Sequence, residues 1–401
     1  MLLPPLWRIS ACAALLGLGQ NGLLVMLPVL VERFGLPLSQ WAGLILLGSM
    51  LFLAGSPFWG RVADRRGARL VVVQALSGYL LSFAMIGAAL WLSTRGALSM
   101  AAMLGLLALA RVLYGLTVSG MVPACQQWAL ALQDGEDRIA ALAAVSAGLS
   151  SGRLLGPLLA AASLSLSVYA PFLLMLLTGL LALALLKGIP RPQATCPDGV
   201  HPDAGRPLPP KDNLPYLAMA LLLAMSVSLM QLGLPTALQQ ALEVNATRAG
   251  HLMGVLLSLG ALGALGTQLG VIRARRLEGH ALMALGGIGL ALGYALLAQA
   301  DALAWFVPGM LVASIGAALA VPGYTDAATR HQAQGTSAGF LGMAHTLGYG
   351  SATLAVSLVA APYLLHLALI AALLLLLLVP LARRRPRATE PAAVTRHDGH
   401  S

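Results

Sequence analysis

Two arginines, Arg111 and Arg153, stand inside long apolar runs of a chain in which only 9% of residues are charged. A guanidinium keeps its proton, so at such a position it needs a partner, and its forked donors suit planar oxyanions best. The alternative for Arg111 is a helix-locking role, hydrogen-bonded to carbonyls of a neighbouring helix. Tyr114 follows one helical turn later. His345 lies in a third apolar run, where an imidazole can take up or release a proton near neutral pH, or serve as a neutral, hydrogen-bonded core residue. Gln20, Asn21 and Gln231 are the remaining polar side chains well inside such runs. They suit either the orientation of a bound solute or hydrogen bonds between helices.

All fourteen acidic residues fall in loops or near the ends of apolar runs. Glu32 and Asp326 are the two that join His345 as candidates for carrying a proton. A polar interior with two arginines and no deep carboxylate favours an anionic or carboxylate-bearing ligand over a cation. Cys12, Cys125 and Cys196 have no metal-ligand spacing and no even pairing, so neither a metal site nor a cofactor is expected. No HExxH pair, nucleophile elbow or phosphate loop is present, which argues against an enzyme.

The elements that must position these residues follow from composition. The 401-residue chain is 58% hydrophobic with mean hydropathy +0.83, so its natural solvent is a lipid bilayer. Long uninterrupted runs predict helices, not the alternating strands of a barrel. Twelve spans are expected near 7–31, 40–60, 69–92, 98–120, 139–163, 167–187, 214–238, 249–271, 279–300, 302–324, 335–359 and 362–382. They divide into an N-terminal six-helix bundle over 1–187 and a C-terminal one over 214–382. A proline-rich linker spans 188–213 and a polar, disordered tail spans 383–401. Arg8 ahead of the first run looks like part of a signal peptide, but the run is too long and is read as the first span.

Of the 24 Lys and Arg residues, all but Arg33, Arg95, Arg248 and the two intramembrane arginines fall on one side of this arrangement. The positive-inside rule makes that side, with both termini, cytoplasmic. The net charge of +10 therefore reports topology, not a nucleic-acid partner. A faint repeat places Pro28 on Pro235, Ala42-Gly43 on Ala249-Gly250, Arg66 on Arg273 and Arg69 on Arg276, as two homologous halves would.

The stretch Gly60-Arg61-Val62-Ala63-Asp64-Arg65-Arg66-Gly67-Ala68-Arg69 concentrates charge between two apolar runs. Its glycines allow a tight turn, and Asp64 stands before the positive end of the third span with arginines nearby. At Gly60, Asp64, Arg65, Gly67 and Arg69 it resembles the signature loop of the major facilitator superfamily, although a plain positive-inside loop would also explain the arginines. Arg111-Val112-Leu113-Tyr114-Gly115 resembles that family's span-four motif with Tyr114 in place of glutamine. Gly152-Arg153-Leu154-Leu155-Gly156-Pro157 resembles the span-five motif of its antiporters, with Ala160-Ala161 replacing the terminal glycines. There Gly152 and Gly156 would let helices approach and Pro157 would bend the span. Ser337-Ala338-Gly339 echoes Ser146-Ala147-Gly148, which sets His345 in the place that Arg153 holds in its own half. The segment from Pro322-Gly323-Tyr324 to Gly339 resembles the branch containing siderophore exporters of the alcaligin type.

The resemblance implies an all-α membrane protein with two pseudo-symmetric six-helix bundles, the major facilitator fold. It implies a monomeric, proton-coupled exporter of a small organic molecule in a bacterial inner membrane, working by alternating access. A siderophore or similar anion is the expected cargo. Multidrug efflux by antiport and proton-coupled uptake of an organic anion are the alternatives. Arg111, Arg153, Gln20, Asn21, Tyr114 and Gln231 would contact the cargo, and the Gly60–Arg69 loop would steady one conformation.

Overall fold

A backbone in hydrocarbon must satisfy its own N–H and C=O groups, and this chain does so with helices throughout. The computed structural model describes residues 4–36, 38–132, 138–190, 209–244, 246–272, 277–330, 334–360 and 363–383. The first bundle comprises α1 (Pro5–Phe34), α2 (Leu38–Met50), α3 (Phe52–Arg66), α4 (Ala68–Thr94), α5 (Met100–Val118), α6 (Met121–Ala131), α7 (Arg138–Leu164) and α8 (Ala170–Leu185). The second comprises α9 (Leu214–Leu242), α10 (Ala246–Gly266), α11 (Gly279–Ala298), α12 (Leu303–Thr329), α13 (Gln334–Leu358) and α14 (Leu364–Arg383).

These helices fall where the apolar runs predicted them, with instructive differences. The second and fourth runs are each broken, at Leu51 and at Ser119-Gly120. The breaks sit side by side: the Ser56 hydroxyl donates to the Ser119 carbonyl at 3.1 Å, and Gly120 packs on Trp59. The fourth run also continues as α6 well beyond residue 120, and α12 runs past 324 to Thr329. Hydropathy stops early at both places because the extra turns carry polar side chains, Gln126, Gln127, Thr325, Asp326 and Thr329, all of them buried in contact between helices. Among the described residues nine stretches are long and apolar enough to cross a membrane. α8, at 16 residues, is a shorter apolar helix.

Two separate hydrophobic cores form, one from α1–α8 and one from α9–α14. Within the first, α1 and α7 lie against each other with almost no side chain between them. A Cβ at Gly152 would fall on the Ala14 carbonyl, and one at Gly156 would come within 2.8 Å of the Leu18 carbonyl oxygen. The expected packing role of these glycines is thereby given a partner, with Pro157 following inside the same helix. Arg8 is buried and closes the bundle, its Nε donating to the Leu185 carbonyl at 2.6 Å. In the second bundle Asn213 ties α9 to its neighbours, donating to the Ala328 carbonyl and the Ser337 hydroxyl at 3.2 Å each.

A small third apolar cluster crosses between the bundles, joining Ala143 on α7 to Leu282 and Leu319 on α11 and α12. It lies toward the arginine-rich end, where the bundles meet most closely. Arg273 and Arg276, the second-half partners proposed for Arg66 and Arg69, lie outside the described residues, as does most of the linker.

Candidate functional site

The contact between bundles is built first from α3 and α13. Gly60 admits α13 because a Cβ there would fall on the Gly335 carbonyl oxygen, and a Cβ on Gly335 would lie 2.6 Å from the Gly60 oxygen. Further along, Gly339 packs on the backbone of Ser56 and Pro57. Asp64, one turn from Gly60, is thereby carried to the first turn of α13. Its carboxylate accepts hydrogen bonds from the backbone N–H groups of Gly335 and Thr336 at 2.8 and 2.7 Å and from the Thr336 hydroxyl at 2.6 Å. The Gln127 side-chain amide of α6 donates to it at 2.9 Å.

The first N–H groups of a helix have no intrahelical acceptor and carry the positive end of its dipole, so a fully buried carboxylate is stabilised there. The sequence places Asp64 before the positive end of the third span; the helix end that it meets is instead that of α13, in the other bundle. Gly67 serves the turn, at φ 89°, a region in which side-chain-bearing residues are strained. Arg65 is exposed and Arg69 half-buried.

A second latch joins α7 to α12. Arg138, the first residue of α7, donates from Nε to Asp326 at 3.1 Å and from Nη2 to the Thr329 carbonyl and hydroxyl at 3.3 Å each. Arg330 pairs with the other Asp326 oxygen from four residues along the same helix. Asp326 is 2% exposed and held by two guanidinium groups, one of them reaching it from the other bundle.

Past the latches, the same helices bring a different set of groups together. His345 on α13 accepts from or donates to the Tyr324 hydroxyl of α12 at 2.7 Å. Arg153 on α7 is close enough for its charge to act on that imidazole. Asn21 on α1 donates to the Arg153 backbone carbonyl at 3.3 Å. The Arg153 side chain is exposed, and its guanidinium has no hydrogen-bond or ion-pair partner among the described residues. Gln20 and Gln231 are also exposed, and no described contact joins them to this group. The Glu32 side chain lies outside the described residues.

Arg111 and Tyr114 are not part of that group. Arg111 is 5% exposed inside the first bundle, where its Nε donates to the Leu44 carbonyl at 3.3 Å and its guanidinium stacks 4.6 Å from the Tyr114 ring centre. Of the two readings of Arg111, this placement fits the helix-locking one, with α2 beside it, while Arg153 is exposed on α7. Sequence reasoning had not singled out Arg138, Gln127, Thr336 or Tyr324 as site residues. The one local signal was Arg330, four residues after Asp326 on one helix face.

Two apolar helical bundles, each with its own core and joined to one another by buried polar contacts, are an architecture in which membrane transporters are built. The sequence profile of the Major Facilitator Superfamily matches residues 9–353, and the chain belongs to that superfamily. Among curated relatives, the "Multidrug resistance protein MdtG" of Serratia proteamaculans is 32% identical over 166 residues, covering 38% of this chain and 36% of that protein. The Citrobacter koseri protein of the same name is 33% identical over 165 residues, covering 38% and 37%. The chain thus aligns with little more than a third of the length of these relatives. Solved structures agree in fold over nearly the whole chain. The human organic anion transporter MFSD10 (TETRAN) superposes with TM-score 0.69 at 22% identity, covering 95% of this chain and 99% of that one. A bacterial homologue of the iron transporter ferroportin in an outward-facing state gives 0.71 at 18%, covering 96% and 100%. FucP in an outward conformation gives 0.74 at 16%, covering 96% and 99%.

Proposed function

We propose that this transporter exports a small, amphipathic organic anion from the bacterial cytoplasm in exchange for protons. The observation that carries the reading is Arg153: an exposed guanidinium with no hydrogen-bond or ion-pair partner among the described residues, within electrostatic reach of His345 in the other bundle. A carboxylate or other planar oxyanion pairs with such a group far better than a cation does, and the absence of deep acidic residues points the same way. His345, hydrogen-bonded to Tyr324, is the group able to take the proton when the anion leaves. The arginine-rich, latched end faces the cytoplasm, so the conformation described is closed inward, and both termini lie on that side. All twelve spans cross the membrane, and the monomer is the working unit. Siderophores, as oxygen-rich metabolites, remain the favoured cargo.

The test is to delete the gene and compare intracellular and secreted small molecules, with and without iron. Complementation with wild type should restore release of an anionic metabolite, while Arg153→Ala, present at normal level, should not. Unchanged secretion in both strains defeats the reading.

The names of the curated relatives favour a second reading, efflux of several hydrophobic drugs. Under it, the deletion strain becomes sensitive to chemically unrelated cationic or neutral compounds, and Arg153→Ala leaves resistance nearly intact.

A further inference from the structure

Both latches are received at one corner of the second bundle, where α12 ends at Thr329 and α13 begins at Gln334. The last carbonyls of α12 and the first N–H groups of α13 have no intrahelical partners. Side chains from distant parts of the chain answer them. Asp64 accepts from Gly335 and Thr336, and Arg138 donates to the Thr329 carbonyl. Both come from the other bundle, so both contacts break when the bundles part.

Asn213 answers from the same bundle. It stands at the start of α9, where an asparagine ordinarily turns back to accept from its own helix, yet it makes no such bond. Its side-chain amide instead donates to the Ala328 carbonyl and to the Ser337 hydroxyl, at 3.2 Å each. A carbonyl can only accept, so the amide nitrogen faces it, and the two N–H bonds serve one helix end each. Ala328 lies between Asp326 and Thr329, the two residues that receive Arg138. Ser337 directly follows Thr336, which donates to Asp64 from its backbone and its hydroxyl. Asn213 and Ser337 are both buried. α9 is itself seated on α13, backbone against backbone: a Cβ at Gly348 would lie 2.3 Å from the Leu221 carbonyl oxygen. The start of α9 is therefore built to travel with α13.

We infer that Asn213 is a positioning residue that couples the two latches. By bridging the end of α12 to the first turn of α13, it holds the receiver of Arg138 and the receiver of Asp64 in register. Both latches then make and break together, whereas without the bridge each helix end frays by itself. The inference stands on the latch geometry alone, whatever the cargo and its direction, since neither Arg153 nor His345 takes part.

The experiment uses the purified full-length protein in lipid nanodiscs and follows hydrogen exchange at Gly335 and Thr336 by mass spectrometry. Four forms are compared: wild type, Arg138→Ala, Asn213→Ala and the double variant. Arg138→Ala removes contacts to α12, not to α13, yet it should speed exchange at those two amides about fivefold, a modest coupling between linked contacts. Asn213→Ala should speed exchange on its own, and in that background Arg138→Ala should add less than about twofold. A loss of packing alone would raise exchange by one factor in both backgrounds and leave the fivefold ratio intact. Ser337→Ala, which removes one of the two bonds and keeps Asn213, should cut the ratio to about half. It decides the matter if Asn213→Ala fails to fold. An undiminished ratio in the variant that decides, or no response of Gly335 and Thr336 to Arg138→Ala alone, overturns the inference.

Discussion

The latched end and the Arg153–His345 group lie along one interface, yet their chemistry is opposite. At the latches every charge is answered: Asp64 receives four hydrogen bonds and Asp326 two guanidinium groups. Beyond them, Arg153 is answered by no described hydrogen bond or ion pair. Saturated buried charges fix one arrangement of the protein, because any movement strands them. An unsaturated charge leaves its partner to be brought from outside. The contrast separates residues whose charges are met within the protein from the one proposed to meet a ligand.

The largest effect that would break this contrast is on transport. Arg153→Ala should lower export of the anionic cargo by 100-fold or more, on the order of the ~3 kcal/mol lost with a charge-assisted pair. Hydrogen exchange at Gly335 and Thr336 should stay at wild-type rates, since the latch is untouched. Asp64→Ala should do the reverse locally, speeding exchange at those two amides about 100-fold by mass spectrometry, because two helix-end N–H groups and the Thr336 hydroxyl lose their acceptor. Gly60→Ala should give a similar gain in exchange with Asp64 still present, since the added methyl drives α3 off the Gly335 carbonyl. If exchange is unchanged there, close approach is not what holds the latch. Asp326→Asn should loosen the α7–α12 contact by about tenfold on the same scale, because Arg138 keeps its two bonds to Thr329. Tyr324→Phe should be the mildest, cutting transport about fivefold through the loss of one neutral hydrogen bond to His345, with latching unaffected.

Much of this was legible in the sequence. Apolar length alone located the helices, and the Gly60–Arg69 spacing marked a loop with a conformational task. The repeat sets His345 close to the place that Arg153 holds in its own half. What could not be read was the partner of each latch residue. Asp64 meets groups 271 and 272 positions away, and Arg138 meets one 188 positions away, in another bundle. No local pattern encodes such pairings. The role of Arg111 stayed open between two readings for a related reason: hydropathy reports that a residue is inside the membrane but not whether it faces a neighbouring helix or an open space. Polar turns such as Thr325–Thr329 ended the predicted spans early because burial between helices is invisible to a scale that counts only greasiness.

Three of the helices that carry the latches also carry the deeper group. Arg138 and Arg153 share α7, about 22 Å apart at ~1.5 Å rise per residue. Asp326 and Tyr324 share α12, and Thr336 and His345 share α13. α1 brings Asn21 along because the glycine face of α7 leaves it no room to slide independently. Each is a lever with a lock at one end and a fingertip further along. A swing that parts Asp64 from α13 would therefore carry His345 with it, so that in the proposed transport cycle the lock and the proposed proton carrier move as one body.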